Sequence, residues 1–256
     1  MTDVVCDLDG VLFRGGAPIP GAPQALRRLI ASGARVVYAT NNSTRSASRA
    51  AANITDITGV PAEASQVVTS AQAAASLLTG DDWPTLPVGE EGVVSALEAA
   101  GGAITRRPSE AASVVVGLDR SLSYEAIAGA ADAVRAGARF VATNTDPTYP
   151  TPAGLAPGAG AVAAAIAVAA GRQPEVAGKP HPPMRKLLRA LGVTSPWVIG
   201  DRLDTDVALA DNEEGWASIL VLTGVASRQE GEGRADRVVD DFAAAVDVVL
   251  GEATRP

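Results

Sequence analysis

At 256 residues the chain is long enough for one large domain or two small ones, with a substantial buried core. Its formal net charge of −8 argues against a nucleic-acid partner and against an anionic membrane surface, both of which favour a basic protein. The single cysteine, Cys6, excludes an internal disulfide and suits a reducing compartment.

Met1-Thr2-Asp3 opens no leader pattern, and the longest apolar run, residues 159–170, is shorter than the roughly 20 residues a spanning helix needs. A cytoplasmic protein is expected. Residues 4–12, Val-Val-Cys-Asp-Leu-Asp-Gly-Val-Leu, begin as a strand buried on both faces and then deliver Asp7 and Asp9. Strand side chains alternate, so the two acids share a face, and Gly10 lets the chain turn out of the sheet. Two like charges beside a core need a cation or a proton to balance them, unless they form a solvated strand-end turn. A helix over 22–32 stops at Gly33, and a second strand, 35–39, runs into Thr40-Asn41-Asn42-Ser43. These residues suit either plain helix capping or an anion at a helix N-terminus. A third strand, 66–69, leads into a helix over 71–78, and the alternation predicts a parallel, doubly wound sheet.

Residues 79–87 crowd glycine, aspartate and proline, which reads as a linker. Beyond it a second α/β layer is expected: helix 90–100, strand 113–117, helix 124–136, strand 139–142, a proline-rich loop and an alanine-rich helix over 160–170. Gly158-Ala159-Gly160 follows no predicted strand, so its context is wrong for a dinucleotide loop. Gly178-Lys179-Pro180-His181 forms a rigid turn in which the lone histidine reads as a solvated turn residue. Strand 197–200 then ends in Gly200-Asp201-Arg202-Leu203-Asp204-Thr205-Asp206, and a last strand, 218–222, ends at Thr223-Gly224. The acidic stretch after Glu230 reads as surface.

Several strand ends therefore carry polar side chains: Asp7 with Asp9, Thr40 with Asn41, Asp201 with Asp206. A parallel sheet brings such ends to one edge. Three or more carboxylates without a His or Cys cluster specify a hard cation, most simply Mg²⁺. Lys179, one of two lysines in the chain, is either a surface residue or the charge partner of an anion. The chemistry suggested is phosphoryl transfer through an aspartyl-phosphate. Asp7 attacks phosphorus, and Asp9 protonates the leaving alcohol and then activates water. Thr40, the amides near Asn41 and Asn42, and Lys179 hold the phosphate oxygens, while Asp201 completes the metal shell with Asp206 in support.

Asp7-Leu8-Asp9-Gly10-Val11, Thr40-Asn41-Asn42-Ser43, Gly178-Lys179-Pro180 and the 200–206 segment resemble, in order and spacing, the four signature motifs of haloacid dehalogenase superfamily phosphatases. The resemblance covers nearly the whole chain. More narrowly, the sequence is similar to the subfamily IIA members with a C2-type cap. These are the NagD-type, 4-nitrophenyl phosphatase, and phosphoglycolate and glycerol-phosphate phosphatase groups. Residues 116–119, 142–147, 157–160 and 222–225 add to the likeness.

The resemblance implies an α/β fold with a Rossmann-like doubly wound core, residues 1–79 and 179–256, and an inserted smaller α/β cap domain, residues 80–178. It implies that Asp7 and Asp201 ligate Mg²⁺ by side chain and Asp9 by its carbonyl. It further implies that Asn144, Asp146 and Tyr149 face the substrate, a small phosphorylated metabolite, and that homodimers form through the cap. Residues 80–87 depart from the pattern, so the first cap strand is expected to be missing or reduced. A phosphotransferase or mutase on the same scaffold, or a non-catalytic phosphate-binding protein, are the alternatives.

Overall fold

A computed structural model describes residues 2–151, 154–211 and 213–252. It divides into two compact units, one formed by Met1–Thr40, Ser48–Val68 and Arg185–Pro256, the other by Asn41–Ala47 and Thr69–Met184.

The first unit is organised on a six-stranded sheet. Its strand order is Arg237–Val239, Ala217–Val221, Trp197–Gly200, Asp3–Cys6, Arg35–Thr40 and Val67–Thr69. Pairing is parallel from Arg237–Val239 across to Arg35–Thr40. Val4, Val5, Val36, Val37, Val198, Ile199 and Ile219 are all buried, as expected of β-branched runs covered on both faces. Helix Ala22–Ala31 buries Leu26 and Leu29 and presents Arg27 and Arg28 outward.

From Asp3–Cys6 the chain winds outward to Arg35–Thr40, whereas the strands after residue 184 add on the other side, beginning with Trp197–Gly200. The order therefore reverses between Asp3–Cys6 and Trp197–Gly200. Such a switch point opens a crevice at the carboxyl ends of the flanking strands. Asp7 and Asp201 are the first residues beyond those two ends.

The stretch beyond Glu230 is not simply surface. It supplies edge strand Arg237–Val239 and helix Phe242–Leu250. Asp241 caps this helix by accepting from the Ala244 N–H at 2.9 Å, and Gly251 ends it. Phe242, Ala245 and Val246 are fully buried, and the helix packs on Ala22–Ala31 and on strands Trp197–Gly200, Ala217–Val221 and Arg237–Val239.

The second unit holds a four-stranded parallel sheet ordered Glu175–Val176, Arg139–Ala142, Ser113–Val116, Thr85–Val88. Thr85–Val88 corrects the expectation of a missing or reduced first strand: it is four residues long and pairs along its whole length with Ser113–Val116. Pro87 is tolerated because the strand lies at the sheet edge, where one row of backbone groups needs no ladder partner. The proline-rich loop is likewise a hairpin, with Thr148–Thr151 antiparallel to Gly154–Pro157. Helices Tyr124–Arg135 and Ala159–Ala170 pack together, their alanines permitting close approach, over a core of Val114, Val116, Phe140, Val162 and Ile166. At the start of Ala159–Ala170 the Gly158 and Gly160 amides, which a dinucleotide loop would turn to phosphate, donate instead to the carbonyls of Pro147 at 2.9 Å and Asp146 at 3.0 Å.

Candidate active site

In the first unit, the Asp7 amide continues the parallel ladder by donating to the Ile199 carbonyl at 2.9 Å, which holds Asp7 beside the end of Trp197–Gly200. Asp7, Asp201 and Asp206 are all buried and place carboxylate oxygens within 4.8 Å of one another. Three anionic groups this close, removed from water, repel strongly at low dielectric. Oxygen-only donors of this kind match a small hard cation. The residues fit Mg²⁺.

Each of these aspartates is braced. The Asp201 carboxylate accepts from the Val225 N–H at 2.9 Å, and its carbonyl accepts from the Ala226 N–H at 3.1 Å. Gly224 lies directly against it; a Cβ there would come within 1.8 Å of Asp201 Oδ2. Gly10 is required twice over: its φ of +83° is left-handed, and a Cβ would meet the same oxygen at 2.6 Å. The Thr223 hydroxyl donates to the Gly10 carbonyl at 2.6 Å, tying the two loops together. Arg14, on the short hairpin Phe13–Arg14 with Ala17–Pro18, donates to the carbonyls of Thr223 and Gly224.

Asp206 sits in a single π-helical turn, Leu203–Val207, a rare geometry that tends to mark functional sites. Its carboxylate accepts from the Arg202 amide at 3.2 Å and the Thr205 hydroxyl at 3.3 Å. Asp204 is turned away from this cluster into a two-pronged pair with the Arg202 guanidinium, at 3.1 and 2.8 Å. Burial raises its pKa, but the arginine outweighs that and holds the carboxyl below its ordinary value. Asp9 is half-buried and adds no carboxylate to the cluster of three. Thr40 is buried at the end of Arg35–Thr40, two residues beyond Tyr38, which pairs with Cys6.

The second unit gathers the remaining candidates. The Asn41 side chain accepts from the Lys179 amide at 2.8 Å and donates to the Lys179 carbonyl at 3.3 Å. It also donates to the Asp146 carboxylate at 3.2 and 3.3 Å. The Asn144 side chain donates to the Asn41 carbonyl at 2.7 Å and accepts from the Asp146 amide at 3.0 Å. Asn42 closes an Asx turn, accepting from the Thr44 amide and hydroxyl at 3.0 and 2.7 Å. His181 is half-buried in the turn, its amide donating to the Gly178 carbonyl at 2.8 Å.

Tyr149, on the hairpin, lies beside Arg120. Glu90 grips that arginine with bonds of 2.7 and 2.6 Å, raising the guanidinium pKa, with Tyr149 adding to the effect. The Arg120 hydrogen bonds hold the Glu90 carboxyl below its ordinary value. Arg14, Thr223 and Val225 as braces, and Asn41 as the hub of the second cluster, are roles that no local sequence pattern announces.

Two family models match the chain. One describes a haloacid dehalogenase-like hydrolase and covers residues 4–103. The other is HAD-hydrolase-like and covers residues 176–245. A D-glycerol 3-phosphate phosphatase of Mycobacterium tuberculosis is 43% identical over 88% of this chain, which spans 64% of that relative's length. A dihydroxyacetone phosphatase of Corynebacterium glutamicum is 38% identical over 88% of this chain and 82% of its own.

A solved structure of the M. tuberculosis glycerol phosphate phosphatase in complex with magnesium superposes with a TM-score of 0.88 at 38% identity. That match covers 95% of this chain and 75% of the other. The chain belongs to the haloacid dehalogenase-like hydrolase family, among its phosphatases.

Proposed function

We propose that the protein is a Mg²⁺-dependent phosphatase of small phosphomonoesters that works through an aspartyl-phosphate on Asp7. The observation that carries this reading is the buried Asp7–Asp201–Asp206 cluster at the switch point of the sheet. The substrate class takes in glycerol and sugar phosphates, phosphoglycolate, nucleotides and 4-nitrophenyl phosphate. The names of the relatives make a three-carbon phosphate the first to try.

In this reading the metal is held by the Asp7 and Asp201 carboxylates and the Asp9 carbonyl, with Asp206 in support. When bound, Mg²⁺ supplies the positive charge that offsets repulsion between an anionic nucleophile and an anionic phosphate. An Asp7 oxygen attacks phosphorus, the bond to the ester oxygen breaks, and Asp9 gives that oxygen its proton. The Asp9 carboxylate then takes a proton from the water that attacks phosphorus, which releases inorganic phosphate and restores Asp7. Thr40, the amides at Asn41 and Asn42, and Lys179 are assigned the phosphate oxygens. Residues 80–178 are assigned the cap domain, whose Asn144, Asp146 and Tyr149 choose the leaving group and through which homodimers form. The enzyme is assigned to the cytoplasm.

For Asp201→Ala, the Mg²⁺ concentration needed for half-maximal turnover is expected to rise by roughly 10–100-fold or more. An unchanged metal requirement contradicts the ligand role. Gly224→Ala tests the brace: the added methyl has no space beside Asp201 Oδ2, so a comparable loss of metal affinity is expected in a protein that still folds. Full Mg²⁺ affinity in that variant argues against a fixed Asp201. Product analysis with an added acceptor alcohol separates hydrolysis from transfer, and phosphate is the expected product.

A further inference from the structure

We infer that Asn41 is a positioning residue whose side chain fixes the peptide of Lys179, so that phosphate binding by Lys179 depends on it. The inference rests on the proposed role of Lys179 as a phosphate-site cation.

Both the oxygen and the nitrogen of the Asn41 carboxamide find partners within the second unit. Its oxygen accepts from the Lys179 amide, one N–H direction serves the Lys179 carbonyl, and the other serves the Asp146 carboxylate. The Lys179 peptide groups settle which way the amide faces, because a peptide N–H only donates and a peptide carbonyl only accepts. The backbone of Asn41 is held as firmly. Its carbonyl accepts from the Ser70 hydroxyl and the Asn144 side chain, both at 2.7 Å.

On the other side, the residue before Lys179 must be glycine. A Cβ at Gly178 would lie 2.5 Å from Asn41 Oδ1 and 2.5 Å from the Thr143 carbonyl, to which the Gly178 amide donates at 2.7 Å. The Lys179 side chain is long and flexible, and its rotamer entropy works against a single useful position. Clamping both peptide groups of the lysine, in a residue only 4% exposed, removes the backbone part of that freedom. The same carboxamide binds Asp146, so the loop at 143–149 and the Lys179 peptide share one hub.

The test is a double-mutant cycle of Asn41→Ala and Lys179→Ala, read as calorimetric binding of inorganic phosphate at saturating Mg²⁺ and as kcat and KM for 4-nitrophenyl phosphate. With Lys179 present, Asn41→Ala is expected to weaken phosphate binding by roughly tenfold and lower kcat/KM by on the order of 10–100-fold. With Lys179→Ala already in place, Asn41→Ala should cost less than about threefold. Equal losses on both backgrounds overturn the inference alone, because a merely structural asparagine would act regardless of the lysine. If Lys179→Ala leaves phosphate binding unchanged, the phosphate role of Lys179 falls, and this inference with it.

Should Asn41→Ala fail to fold, Asn41→Asp takes its place in the same cycle: it keeps the acceptor for the Lys179 amide but loses the donors to the Lys179 carbonyl and to Asp146. Its loss of phosphate affinity should again shrink when Lys179→Ala is already in place, and equal losses on both backgrounds overturn the inference.

Discussion

Replacing Asp7 with Asn is expected to lower Mg²⁺-dependent hydrolysis of 4-nitrophenyl phosphate by at least about 10³-fold while leaving the fold intact. Asparagine is nearly the same shape, so the buried packing around position 7 and the amide bond to the Ile199 carbonyl survive. What disappears is the anionic oxygen proposed to form the bond to phosphorus, together with one of three carboxylates suited to the metal. Removing one negative charge from a crowded acidic cluster relieves repulsion, so the variant should unfold at the same temperature as the parent or a higher one. Loss of activity with gain of stability separates a functional aspartate from a structural one. Turnover within a few fold of the parent would contradict the nucleophile assignment.

The second large effect concerns stability. Phe242→Ala empties a fully buried ring position where helix Phe242–Leu250 meets helix Ala22–Ala31 and the sheet. The expected loss is about 3–5 kcal/mol, a large share of the roughly 5–15 kcal/mol that domains of this kind possess. It should appear as a lower denaturant midpoint, and because the strands bearing Asp7 and Asp201 belong to the same unit, activity should fall in the same transition. A midpoint unchanged from the parent would mean that the C-terminal helix is not part of the core.

That helix also shows where reading from residues alone falls short. Asp241, the apolar run 242–250 and Gly251 form a cap, a helix and a stop, but the acidic residues before them disguise the pattern as surface. At Thr85–Val88 and at Thr148–Thr151 with Gly154–Pro157, prolines mark loops by local rules, whereas edge strands and hairpins accept them once the sheet decides which amides need partners. The central strands were legible because burial on both faces leaves a plain signature in Val4-Val5-Cys6, Val36-Val37 and Val198-Ile199.

Asp7 and Asp201 were legible as a pair because a parallel sheet sends every strand end to the same edge, so acids at two such ends can be inferred to converge. Asp206 reads from the sequence only as support for the metal shell. Its place in the cluster of three carboxylates goes with the π turn at Leu203–Val207, which no propensity encodes. The Asn41 hub could not be read from residues at all. Its partners lie 105 and 138 positions away, and short polar side chains in a loop carry no period that reveals them.

The most direct test of the central claim is to look for the phosphoryl group on Asp7 itself. A single turnover with a phosphomonoester and Mg²⁺, quenched in acid and reduced with borohydride, should convert the acyl phosphate at position 7 to homoserine, which peptide mass spectrometry locates. The predicted result is homoserine at position 7 and at no other aspartate, dependent on both substrate and Mg²⁺. Phosphate release with Asp7 unmodified throughout would contradict it.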